Sequence, residues 1–324
     1  MNITVIGCGR WGSLITWYLD HIGHRVTLYG RAASPRMQAF LTTRQNDLLT
    51  LPESVALSTA LDAALESAET VIISIGSQSL RSLLGQSELQ ALRSRTVVLC
   101  MKGLEMGTGA RLSQIAAELL HPSNTVAVWL GPGHVQEFYR GIPNCMVIDS
   151  ENEDVKRRLV QAFSSDLIRF YYGGDMIGNE VGAAAKNVVG IAAGFLDGFE
   201  MSSLKGALMS RGTREVARLI KAMGGSELSA YGLCHLGDYE ATVFSPYSHN
   251  RQFGESFVRG QDYHQLAEGY YTVKALMLLG QRYGVELPIC KAVHDILYEQ
   301  AVPRDVLAAL LRRGLTEPRR KKSA

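Results

Sequence analysis

The chain has little of what would mark several classes of protein. Its 324 residues include five cysteines, at positions 8, 100, 145, 234 and 290. They are scattered, with no CxxC pair, which fits reduced thiols in a cytoplasmic setting and offers neither a disulfide framework nor a metal site. The formal net charge is only +2, so nothing argues for a nucleic-acid partner. No apolar run approaches the ~20 residues of a membrane helix, and no membrane insertion is expected. The first apolar stretch, Ile3 to Ile6, is too short for a signal peptide. No internal repeat is evident. Hydrophobic residues make up 46% and charged residues 20%, the balance of an ordinary folded protein. The length suits roughly two domains of ~150 residues. Residues 316–324, which hold the basic end "EPRRKKSA", read as a disordered, solubilising tail.

Against this plain background, "GCGRWG" at residues 7 to 12 stands out. It follows the short β-branched run "ITVI", which reads as a buried strand. After it, "SLITWYLDHIGH" has helical apolar spacing and a glycine stop, and "RVTLY" reads as a second strand. Strand, glycine turn, helix and strand within about thirty residues is the setting in which G-x-G-x-x-G binds a dinucleotide. Gly7 permits the tight turn, Gly9 lets backbone approach a pyrophosphate, and Gly12 lets helix and strand pack closely. The helix N-terminus then offers free N–H groups to phosphate. An acidic residue at the end of the second strand would favour NAD. Arg31 stands close to that position instead, and a guanidinium suits the 2′-phosphate of NADP. NADP is slightly favoured; NAD stays open.

The alternation continues through "TVIISIG" (70–76), "TVVLCMKG" (96–103), "TVAVWLG" (125–131), "NCMVIDS" (144–150) and "LIRFYYGG" (167–174). Two helices, "LRSLLGQSELQAL" and "ARLSQIAAELL", lie among them. The expected fold is α/β: a doubly wound parallel sheet over residues 1–175, followed by an all-α unit over 176–315. Ligands in such sheets bind beyond the carboxyl ends of the strands. Lys102 leaves one such end and "GPGHVQE" (131–137) another. Lys102 reads equally as an anion contact or as a solvated loop lysine.

The most informative helix is "GNEVGAAAKNVVGIAAGFLDGFE" (178–200). Small and apolar residues surround it, so it is buried. Lys186 lies at its middle, flanked on one face by Gly182, Ala183, Gly190, Ala193 and Gly194. A buried lysine is costly unless paired or neutral. The small face suggests open volume for a ligand, and burial brings the pKa towards the range useful for proton transfer. Asn187 follows as a neutral hydrogen-bonding group.

Taken in order, GxGxWG, KGLE, GP…E, this helix, "LMSRG" and "GLCHLGDYEATVFSPYSHNRQFG" resemble the NAD(P)-dependent glycerol-3-phosphate dehydrogenases over roughly residues 1 to 300. The resemblance implies a Rossmann unit for the cofactor and a helical unit for the substrate. The implied reaction is reversible reduction of dihydroxyacetone phosphate to sn-glycerol 3-phosphate, supplying glycerophospholipid synthesis. It implies Lys186 as the proton-exchanging group, with Asn187 beside it and Asp238 among the polar residues of the pocket; on physical grounds a carboxylate there suits pairing with Lys186 and raising its pKa against burial. It places Lys102, Gly131, Thr242, Ser248 and Asn250 around the substrate, with His249 and Gly133 at positions where the family has other residues; Arg251 is expected as a further phosphate donor beside Asn250. It places Arg10, Trp11, Arg31, Lys102, Val135, His249 and Glu268, with the three glycines, around the cofactor. The sequence does not give the oligomeric state; helical substrate units of this kind often pair, which leaves a homodimer open. "SHNRQFG" is expected to open a helix with Ser248 as its cap, and phosphate would sit at that N-terminus.

Three departures bear on this. The family usually has arginine where this chain has His249, and a small polar residue where it has Gly133. The stretch from Gly260 to Glu268 is also shorter. They keep two alternatives in view: an NADP-dependent reductase of another phosphorylated or acidic ketone, and a non-catalytic dinucleotide sensor.

Overall fold

The computed structural model describes residues 1–312; the basic tail and the last few residues of the expected helical unit lie outside them. Eight strands form one sheet: β1 (Asn2–Ile6), β2 (Arg25–Tyr29), β3 (Ala56–Ser58), β4 (Thr70–Ile73), β5 (Thr96–Leu99), β6 (Thr125–Leu130), β7 (Asn144–Ser150) and β8 (Ile168–Tyr172), in spatial order β3-β2-β1-β4-β5-β6-β7-β8. The first six are parallel. The central strands β4 and β5 are buried along their whole length, because helices cover both faces of a parallel sheet.

Two expectations about this sheet are corrected. It is not parallel throughout: β7 runs antiparallel to β6, pairing Val128 with Asp149, and β8 is parallel to β7. After Gly131 the chain folds back beside β6 through the short helix Val135–Tyr139 instead of crossing the sheet, and an antiparallel return needs no long crossover. Residues 80–92 do not form one helix; they break at Gly85 into short helical turns. The short strand β3 was also not anticipated, since "ALS" carries little apolar alternation.

The strand order reverses between β1 and β4, which opens the crevice where ligands of such sheets bind. The turn after β1 sits there. Gly7 has φ +116°, and a Cβ on it would overlap the carbonyl oxygen of Ser74 after β4. Only glycine fits that position.

From Met176 to Arg312 every regular element is helical. The central helix, Met176–Gly198, is capped by Asp175, whose Oδ1 accepts from Gly178 N at 3.0 Å. Residues 180 to 196 are buried all round. Glu180 ties this helix to the sheet unit: Oε2 accepts from Arg111 at 2.5 Å and Oε1 from Ser113 N at 2.9 Å. Such a buried pair is costly to break from one side, by about 3–5 kcal/mol. The helices His249–Val258 and Glu268–Tyr283 both pack against the central helix. No helix among the described residues is long and apolar enough to cross a membrane.

Candidate active site

A cavity of about 300 Å³ lies where the glycine turn, the ends of β5 and β6, the central helix and the start of the His249 helix converge. Lys186 is inside it and only 6% exposed. Its ammonium lies 3.1 Å from Asp238 Oδ2 and donates to Thr242 Oγ1 at 2.5 Å. Thr242 sits in a single π-helical turn, Glu240–Phe244, and its hydroxyl donates back to the Asp238 carbonyl at 2.7 Å. Burial pulls the Lys186 pKa down to about 8, and the Asp238 carboxylate opposes that fall. A positively charged donor therefore coexists with a neutral amine near physiological pH.

Lys102 leaves the end of β5 and donates to the same Asp238 oxygen at 2.7 Å and to the carbonyl of Gly131 at 2.5 Å. Asp238 is 1% exposed and counterbalances both ammoniums. His235 braces its segment. The ring is fully buried, donates from Nδ1 to the Gly182 carbonyl and accepts at Nε2 from Tyr239, both at 2.8 Å. Burial holds its pKa down at about 4, so it is neutral.

Asn187 is a connector. Its amide N–H donates to the Lys102 carbonyl at 2.8 Å, and its oxygen accepts from Asn250 at 3.1 Å. Asn250 in turn accepts from Gly269 N at 2.9 Å. These bonds lock the end of β5 to three helices. Ser248 caps the His249 helix as expected, accepting from Arg251 N at 3.3 Å. Glu268 bridges to the end of β4, where Ser77 donates to it through both N–H and hydroxyl.

The structure brings Arg10, Trp11, Lys102, Gly133, Val135, Lys186, Asn187, Asp238, Thr242, Ser248, His249, Asn250 and Glu268 to one cavity. Arg251 is not brought there. Its guanidinium is held by Asp197 at 2.9 Å and Glu255 at 2.8 Å, outside the cavity lining. Arg31 is exposed beyond the end of β2, outside the cavity lining. The small face of the central helix does not supply open volume either. A Cβ at Gly194 would overlap the Arg251 carbonyl, and one at Gly190 would lie 2.8 Å from Thr242 Cγ2. Glycine there admits close helix packing, and the space beside Lys186 comes from the strand ends. His134, His235 and Tyr263 were missed, since isolated histidines and a loop tyrosine carry no spacing signal; Arg36, whose Nη1 lies 3.7 Å from a Cβ placed on Gly9, was missed too.

The residues fit a dinucleotide. Gly9 precedes the first helix, Arg10–His21, with no side-chain cap on the terminal N–H groups. Among the described residues, Arg36 alone comes within 4 Å of a Cβ placed on Gly9. Trp11 Nε1 is a buried donor with no protein partner among the described residues, and an orphaned buried donor is costly without one.

A glycine turn at the switch point of a doubly wound sheet, facing a buried lysine paired to a carboxylate, defines a two-part nicotinamide-dependent oxidoreductase. Residues 2–156 match the family model for the NAD-dependent glycerol-3-phosphate dehydrogenase N-terminus, and residues 175–308 match that for its C-terminus. The chain belongs to this family. It is 32% identical over 97% of its length to a glycerol-3-phosphate dehydrogenase [NAD(P)+] of Prosthecochloris aestuarii, covering 98% of that protein. A protein of the same description from Nitrosomonas europaea is 36% identical, with 94% of this chain and 95% of that one covered. The crystal structure of glycerol-3-phosphate dehydrogenase from Coxiella burnetii superposes with a TM-score of 0.89 at 27% identity, covering 96% of this chain and 99% of that one.

Proposed function

We infer that this chain reduces dihydroxyacetone phosphate reversibly to sn-glycerol 3-phosphate with NAD(P)H, Lys186 serving as the proton donor. The observation that carries this reading is the Lys186 ammonium, buried in the cavity 3.1 Å from Asp238 Oδ2; burial pulls its pKa down to about 8. When bound, the nicotinamide supplies the hydride. The protein manages one proton and the charge that develops on the ketone oxygen. Lys186 stabilises that oxygen and gives up its proton as the C2 hydroxyl forms; in reverse, the neutral amine takes the proton. Asp238 and Thr242 hold the ammonium in place, and Asn187 fixes the Lys102 backbone beside it. The substrate phosphate takes the N-terminus of the His249 helix, with Ser248 and Asn250. Trp11, Val135 and Glu268 line the cofactor side. Arg31 favours the 2′-phosphate of NADP. The division near residue 175 separates cofactor from substrate handling. A homodimer in the cytoplasm, feeding glycerophospholipid synthesis, completes the reading.

The test is oxidation of NADPH and of NADH with dihydroxyacetone phosphate and a panel of small ketones, in the parent and in Lys186→Ala. The inference requires turnover with dihydroxyacetone phosphate above the panel, lost in Lys186→Ala while NADPH still binds. Preference for another ketone would reassign the substrate, and an output that survives Lys186→Ala would mark a sensor.

A further inference from the structure

Three cationic side chains line the cavity, and one has no anion. Lys102 and Lys186 share Asp238. Arg10 makes no ion pair among the described residues; its Nη1 lies 3.0 Å from Nε2 of His249. A guanidinium only donates, so His249 Nε2 accepts and the ring proton sits on Nδ1. That proton faces the Tyr263 oxygen at 2.6 Å, and the Tyr263 hydroxyl donates to Gln252 Oε1 at 3.2 Å. The donors run in one direction from Arg10 to Gln252, which fixes His249 as the neutral ring. Burial, then Arg10 and Arg36, lower its pKa accordingly.

Arg10 opens the first helix, directly after the glycine turn, and His249 opens the helix capped by Ser248. Their bond, between residues 239 apart in sequence, crosses the seam between the sheet and the helical part. A half-buried guanidinium paired to a neutral ring keeps its whole charge and further N–H donors in the planar fork that suits phosphate. We propose that Arg10 is the phosphate-binding cation of this cavity and that neutral His249, braced by Tyr263 and Gln252, is the positioning residue that holds it there. The phosphate belongs either to the substrate or to the dinucleotide. The naming of those ligands rests on the function proposed above; the unpaired guanidinium does not.

Binding to the full-length chain tests this without turnover. One arm measures Kd for NADPH by its fluorescence; the other measures Kd for sn-glycerol 3-phosphate by calorimetry with NADP+ present. Arg10→Met should raise at least one Kd by about 10- to 100-fold, the worth of a hydrogen bond to a charged group, and the arm affected identifies the phosphate. His249→Leu should follow it in part, whereas His249→Gln, which keeps an acceptor for Arg10, should bind close to the parent. The double variant Arg10→Met, His249→Arg returns a guanidinium from the opposite side of the seam and should regain affinity over Arg10→Met alone. This comparison holds even if one single variant folds poorly. Both Kd values within twofold of the parent in Arg10→Met would overturn the role of Arg10. Equal binding by His249→Leu and His249→Gln would overturn the positioning role. A parent that fails to reduce dihydroxyacetone phosphate refutes the proposed substrate and leaves the NADPH arm readable.

Discussion

Replacing Asp238 by asparagine isolates the electrostatics of the site, because one carboxylate oxygen serves two ammoniums. Its separation from Lys186 Nζ is 3.1 Å. At an effective dielectric constant of about 20, two unit charges that far apart attract by about 5 kcal/mol. At 1.36 kcal/mol per pH unit that is an upper bound of about 4 units. Asparagine keeps a dipole and Lys102 can move, so the observed range for one opposite charge, about 1–3 units, is the working expectation. The pKa of Lys186, about 8 in the parent, should fall to about 5–7. The sign follows from the role. Ketone reduction needs the protonated amine, so kcat/KM falls as pH rises through this pKa, and it should fall at lower pH in the variant. Oxidation of sn-glycerol 3-phosphate needs the neutral amine, so its rising limb should move down by the same amount. The assay is the pH profile of kcat/KM in both directions, with NADPH binding as the control for folding. A limb that stays near pH 8 or moves upward would refute the view that Asp238 sustains the charge on Lys186.

Lys186→Met should lower kcat by about 10²–10⁴-fold and raise the melting temperature at pH 7 by a few degrees. The folded state lowers this lysine's pKa from 10.5 to about 8, so it destabilises fully below about 8, and the cost fades as pH rises to 10.5; an advantage for the variant that persists above pH 10.5 would contradict this. Gly194→Ala places a methyl group against the Arg251 carbonyl, and overpacking two backbones should cost about 1–3 kcal/mol in a denaturant titration and raise KM for the phosphorylated substrate. Trp11→Phe removes the unpartnered buried donor; cofactor Kd should rise about tenfold with no loss of melting temperature, whereas a drop in stability alone would make Trp11 a packing residue. Arg31→Ala should weaken NADPH more than NADH, and equal weakening would remove the basis for an NADP preference.

The local signals in this chain were strong where one segment makes its own case. "ITVI" followed by "GCGRWG" specified strand, turn and helix, since the steric demand for glycine at position 7 and the apolar period of the helix are properties of neighbouring residues. The all-round apolar sequence of 181–196 likewise specified a buried helix, and the lone Lys186 within it identified the residue to ask about. Ser248 was legible as a cap because the capping bond spans three residues.

Other features depended on groups that meet only after folding. "GAAAKNVVGIAAG" suggested space beside Lys186; instead Gly194 receives the backbone of the helix His249–Val258, Gly190 meets Thr242 and Gly182 meets His235, and no pattern within one helix says what packs on it. Arg251 is one residue from Asn250 but turns to Asp197 and Glu255, because helical geometry and distant carboxylates set its direction. The reversed β7 arose from how the chain turns after Gly131. The direct bond between Arg10 and His249 joins residues 239 apart in the sequence. The sequence alone determined the turn, the buried lysine and the α/β-then-α order, which follow from short-range sterics and apolar periodicity. Tertiary structure decided which charges are paired, which cavity they share and which guanidinium has no carboxylate partner among the described residues, because Coulomb and hydrogen-bond partners are chosen by distance in space.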